Sequence, residues 1–108
     1  MPLSDFRLSQ DQGNTSFVVV LADDGGFRIV ARIAREAIDD YFHRREPPQR
    51  ERVALVERNL PQIGYLITKK YEAGDHLTYT DSLGLTEASN RLIIIDYNDL
   101  RSGQALSG

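Results

Sequence analysis

The stretch FRIVARI, residues 27–33, alternates without interruption and runs straight into a helical stripe, and this join constrains the fold more than any other feature of the chain. Phe27, Ile29, Ala31 and Ile33 fall on one side of an extended strand, and Arg28, Val30 and Arg32 on the other. One face must meet a core and the other water or a partner. Ala34, Ala37, Ile38, Tyr41 and Phe42 then follow the spacing of a buried helix face. With no linker between them, strand and helix must share one core. Glu36 in the first turn and Arg44 and Arg45 in the last are expected to complement the helix dipole, with Asp40 pairing to Arg44. Pro47 and Pro48 end the helix, because a residue before proline disfavours the helical region.

The flanking segments extend this unit. SFVVVLA, residues 16–22, is β-branched and apolar throughout, as a strand covered on both faces would be. Gly25 and Gly26 in DDGG suit the hairpin loop that joins it to the next strand. Beyond the prolines, Val53, Val56, Leu60, Ile63, Ile67 and Tyr71 lie along one stripe over residues 49–73. The stripe keeps its phase across Pro61. That favours one helix kinked at the proline over a second helix capped by Asn59 with Gln62 completing a capping box. Gly74 supplies the left-handed residue that stops it. HLTYT, residues 76–80, and RLIIIDY, residues 91–97, read as strands, separated by a long connection over residues 81–90.

The order is β-β-α-α-β-β, which predicts an α+β fold: a small antiparallel or mixed sheet with two helices packed on one face. The expected organisation is a flexible polar arm over residues 1–15, with Phe6 and Leu8 against the body, one domain over residues 16–99, and a disordered tail over residues 100–108. A chain of 108 residues fits one domain.

The join VARIAREAIDDYF resembles a segment of domain-of-unknown-function family 1488, a family of short bacterial proteins built as a hairpin, an R-I-S-x-E-A-L-x-D-x-F segment, a long helix and a final strand. Arg32, Ile33, Glu36, Ala37, Ile38, Asp40 and Phe42 match that segment. VERNLPQIGYLITKKYEAGD is similar to the family's second helix and LIIIDYNDL to its closing strand, so the resemblance spans residues 16–99. Ala34 stands where the family has a serine N-cap, a loss of about 1 kcal/mol. HLTYTDSLGLTEASN is also longer than the family needs. The family has no established activity, so the resemblance implies a fold and no function.

Composition narrows the chemistry. The chain lacks cysteine, which removes disulfides, thiol catalysis and thiolate metal sites. No apolar run approaches the roughly 20 residues of a membrane span, and the first residues lack the basic and apolar stretches of a secretory signal, so a cytoplasmic location is expected. The net charge is −3, unevenly spread: residues 28–58 carry eight arginines against six acids, and both flanks are acidic. There is no nucleophile elbow, phosphate loop or dinucleotide fingerprint, so no catalytic residue or cofactor is expected and the chain is not read as an enzyme. His43 and His76, with Asp75 and Asp81 near the latter, show no metal-ligand spacing, and no metal is expected.

The remaining candidates are arginines. Arg28 and Arg32 lie on the outer strand face, and Arg44, Arg45, Arg50 and Arg52 surround the two prolines, interleaved with Glu46 and Glu51. A solvated face and a charged helix end account for them. As an interaction surface they suit a homodimer or another protein partner. The expected function is accordingly a non-catalytic interaction or regulatory module. The alternatives are a nucleic-acid-associated protein using this segment, and a small-ligand binding protein or minor enzyme with a pocket near Tyr41, Tyr65 and Tyr79.

Overall fold

A computed structural model of the chain describes residues 3–9, 16–25, 27–74, 77–80, 86–103 and 106. The elements are β1 (Ser4–Leu8), β2 (Phe17–Asp24), β3 (Phe27–Ala34), α1 (Arg35–Phe42), α2 (Gln49–Arg58), α3 (Leu60–Glu72), β4 (Leu77–Thr80), β5 (Thr86–Ile95) and α4 (Tyr97–Ser102). The strands form one mixed sheet in the order β1-β2-β3-β5-β4. β3 and β5 run parallel, and the other pairs are antiparallel. The fold is α+β, as the element order predicts.

β2 and β3 form a hairpin in full register from Phe17↔Ala34 to Asp24↔Phe27, with Gly25 at φ +57 in the turn. Val18, Val20 and Ala22 of β2, Ile29, Ala31 and Ile33 of β3, and Ile93 and Ile95 of β5 share one face and join one core with Ile38, Val56, Ile63, Ile67 and Leu100 of the helices. The opposite face carries Phe17, Val19 and Leu21, which are half-buried. β2, expected to be covered on both faces, is covered by helices on one.

α1 follows β3 without a loop. Ala34 offers no side-chain cap, and the Arg35 amide instead donates to the Ser16 carbonyl at 3.0 Å. α1 ends earlier than expected, because His43 turns left-handed at φ 57 and the Arg44 amide donates to the Asp39 carbonyl at 2.9 Å. Arg44 and Arg45 therefore lie beyond the helix and not in its last turn.

Residues 49–73, expected as one helix kinked at Pro61, form two helices divided at Asn59. Pro61 lacks the amide that would continue the ladder, and it sits in the first turn of α3, where no amide is needed. Asn59 is fully buried, but its side chain does not cap α3. Its Nδ2 donates to the Leu55 carbonyl at 2.8 Å, satisfying the frayed end of α2. At the far end of α3, Gly74 takes φ +80 as the stop residue.

Both chain ends depart from expectation. Ser4–Leu8, placed in a polar arm, is an edge strand: Phe6 and Leu8 pack on the core, and the Phe6 ring lies so close to Gly64 that a Cβ there would sit 3.2 Å from it. Residues 97–102, read as a strand end and tail, form α4. Asp96 and Asp99 make a reciprocal capping box, with Asp99 N to Asp96 Oδ1 and Asp96 N to Asp99 Oδ2 both at 3.0 Å. Leu100 anchors α4 in the core, and the Leu106 amide donates to Tyr41 Oη at 3.0 Å. β5 starts at Thr86, so part of the expected connection is strand. Its residues 81–85 lie outside the described residues.

Candidate interaction surface

The second sheet face, which no helix among the described residues covers, is built by the alternation that builds the core. On β3 it presents Arg28, Val30 and Arg32. Antiparallel pairing sets Val19 opposite Arg32, Leu21 opposite Val30 and Asp23 opposite Arg28. Parallel pairing sets Leu92 beside Val30 and Ile94 beside Arg32. Arg7 of β1 lies opposite Leu21, with Nη1 3.2 Å from Asp23 Oδ2. The result is an apolar centre of Val19, Leu21, Val30, Leu92 and Ile94 with charge at its margins.

Two features separate this face from an ordinary wet one. First, Val30 is 9 % exposed yet lies outside the core cluster, while Ile94 remains 45 % exposed. Second, β3 and β5 are parallel, and parallel strands are commonly covered on both sides. At one end the Arg32 guanidinium stacks 4.7 Å from the centre of the Phe17 ring, beside a hollow of about 150 Å³ between Ser16, Phe17, Arg32, Ala34 and Ile94. Arg7, Arg28 and Arg32 stand against two aspartates, Asp5 and Asp23, both paired with Arg7, which leaves the described part of the face with one net positive charge.

The sheet edges are less suited to pairing. β1 is broken by a register shift between Ser4 and Arg7, with Asp5 at φ 59. β4 has four residues and a shift between Thr78 and Thr80. Short, bulged edges resist strand addition.

The six arginines singled out from sequence do not form one patch. Arg28 and Arg32 share the sheet face. Arg44, Arg45 and Arg50 are exposed around the turn from α1 to α2, in the helical layer. Arg44 donates from Nη1 to the Phe42 carbonyl at 3.2 Å, and its Nε is 3.9 Å from Glu51. Arg52 points inward, 6 % exposed, in a two-bond pair with Asp39. Its hydrogen bonds to Asp39 outweigh the cost of burial and raise its pKa further, so its charge is fixed.

What the sequence did not reveal is the apolar half of the surface, Leu92 and Ile94, which only the β3–β5 pairing brings beside the arginines. Of the other candidates, His43 is exposed at the end of α1, Tyr41 is half-buried, and Tyr65 faces away from the core. Asp75, His76, Asp81 and the Tyr79 side chain lie outside the described residues. Among the described residues no cluster of three histidines or carboxylates is placed to hold a metal, and no helix is long and apolar enough to cross a membrane. No family model, curated protein or solved structure matches the chain, so the role of this surface rests on its own geometry.

Proposed function

We propose that the protein is a non-catalytic interaction module whose open sheet face docks an acidic, apolar-faced segment of a partner protein. The observation that carries this reading is the exposed Ile94 beside Arg32 on a parallel strand pair that helices cover on one side only. Covering Val30, Leu92 and Ile94 supplies the hydrophobic gain. Carboxylates on the partner would meet Arg28, which has no carboxylate within 4.0 Å among the described residues, and Arg32 at the rim.

A second copy of the chain is the weaker occupant. A two-fold axis along or across β3 at Val30 brings the arginines of one copy against those of the other, and like charges facing across an interface are unfavourable. Nucleic acid is also less well supported, because an extended strand-face platform for bases needs exposed rings, and Phe17 is half-buried under Arg32.

The test is retention of a partner from host lysate by the tagged protein, by Ile94→Glu and by Arg28→Glu/Arg32→Glu, with and without nuclease. A protein that survives nuclease and is lost from both variants is the expected result. Loss on nuclease treatment would instead assign the face to nucleic acid. Retention by both variants would remove the face from consideration. Sedimentation of the wild-type chain over a concentration series reads the second-copy alternative directly.

A further inference from the structure

On the helical side of the molecule, away from the sheet face, α3 and α4 leave a groove of about 480 Å³ between them. That lies within the roughly 300–1,000 Å³ usual for small-molecule sites. Tyr65, Leu66, Lys69 and Ala73 of the α3 side form one wall, and Asp99, Ser102 and Gly103 the other. The close approach of the walls depends on Gly103, where a Cβ would fall 2.4 Å from Leu66 Cδ2. Leu66 therefore packs directly against Gly103 where the walls meet.

Three polar features converge there. Tyr65, at 44 % one of the most exposed large apolar side chains, presents its ring to the groove, and Lys69 Nζ stands 5.3 Å from the ring centre. Lys70 Nζ is held by the Ile94 carbonyl at 2.7 Å and Asp99 Oδ2 at 2.8 Å, so those two charges cancel within the wall. Asp99 remains ionised, because the bonds from Lys70 and the Asp96 amide overcome its partial burial. Lys69 has no carboxylate within 4.0 Å among the described residues, and it leaves the described lining with one net positive charge.

We infer that this groove binds a small flat aromatic anion, an aryl carboxylate, sulfonate or phosphate. Its ring lies against Tyr65 and Leu66, and its anionic group meets Lys69. An aromatic ring on Tyr65 and a cation over the same ring reinforce one another, since the ammonium that faces the ring also attracts the anion. A neutral aromatic would leave Lys69 unused, and a cation would meet it directly. This site is independent of the sheet face, and neither requires the other.

The probe is 8-anilinonaphthalene-1-sulfonate, titrated into the full chain and followed by its fluorescence. Saturable one-to-one binding that weakens with added salt is expected. Tyr65→Ala and Lys69→Glu should each weaken it by about tenfold, the worth of one stacked ring or one ion pair. Lys69→Arg should restore it. Both positions are exposed, so the variants should fold, and far-ultraviolet circular dichroism verifies that. Arg28→Ala should leave the affinity unchanged, because Arg28 lies on the sheet face and not in the groove. Absence of saturable binding, binding indifferent to Tyr65→Ala and Lys69→Glu, or binding lost with Arg28→Ala would each overturn the assignment.

Discussion

Arg52 clasps Asp39 across the turn between α1 and α2, Nε to Oδ1 at 2.9 Å and Nη2 to Oδ2 at 2.8 Å. The two side chains are 7 % and 17 % exposed. The pair ties the helix that continues β3 to the helix that follows the prolines, and it removes one arginine from any surface role. Truncating a single partner strands a buried charge. Arg52→Ala should therefore lower unfolding free energy by about 3 kcal/mol in urea, whereas Arg52→Met with Asp39→Leu together should recover most of that. Arg44→Ala and Arg45→Ala, at exposed positions, should each change stability by about 0.5 kcal/mol or less. A loss at Arg52 no larger than at Arg45 would mean that the clasp is solvated.

Gly103 is needed for space, not for backbone freedom, since its φ of −88 suits any residue. A methyl group there would press on Leu66 at its Cδ2, 2.4 Å away, and its Cγ, 2.9 Å away. Because Cγ belongs to the branch point and not the tip, the leucine must change rotamer or α4 must shift. Gly103→Ala should cost about 1–3 kcal/mol by thermal or chemical unfolding. Leu66→Ala in the same background should return part of that loss, a coupling that two unrelated defects would not show.

The parts of the fold legible in sequence are those that local periodicity dictates. The alternation from Ile29 to Ile33 correctly assigns core and open face, and the α1 stripe correctly assigns Ala37, Ile38 and Phe42. The phase kept across Pro61 misled, because a single residue, Asn59, separates two helices whose buried faces nearly align. A better stripe existed: Arg52, Leu55, Val56 and Asn59 are buried at helical spacing, and reading it would have placed Arg52 inside. α4 is hard to read from sequence because it has six residues and one core anchor, Leu100, although the D-x-x-D of its capping box is a start signal. The candidate surface was half legible. Arg28 and Arg32 follow from alternation, but Leu92 and Ile94 reach them only through a parallel pairing across more than sixty residues of chain, which no local pattern encodes.

Asp99 sets a pH dependence whose direction follows from its bonds. Partial burial raises its pKa, but hydrogen bonds from Lys70 and the Asp96 amide lower it more, and the net shift is below the ordinary 3.8. A carboxyl depressed in the folded state contributes stability that is fully present above the unfolded pKa and lost as pH falls through the folded one. Asp99→Asn should therefore be less stable than wild type by a constant margin of about 1–2 kcal/mol near neutral pH. That margin should shrink as pH falls below about 4. Urea unfolding from pH 7 down to pH 3 measures it, and a margin unchanged to the acid end would show that Asp99 is not ionised against Lys70.

Ile93 and Ile94 are neighbours on β5 with opposite surroundings: the first is fully buried among the helices and the second is 45 % exposed on the open face. Their contrast measures how one-sided the sheet is. Ile93→Ala should cost about 2–5 kcal/mol, through lost burial and the cavity left behind. Ile94→Ala should cost about 1 kcal/mol or less, since little besides strand preference is lost. Val30→Ala should fall between them, because Val30 is 9 % exposed but lies outside the core cluster. The ordering is read from urea midpoints at low protein concentration. Equal costs at Ile93 and Ile94 would mean that the open face is covered in solution. If the cost at Ile94 rises with protein concentration while that at Ile93 does not, the cover is a second copy of the chain, and the acidic-partner reading yields to self-association.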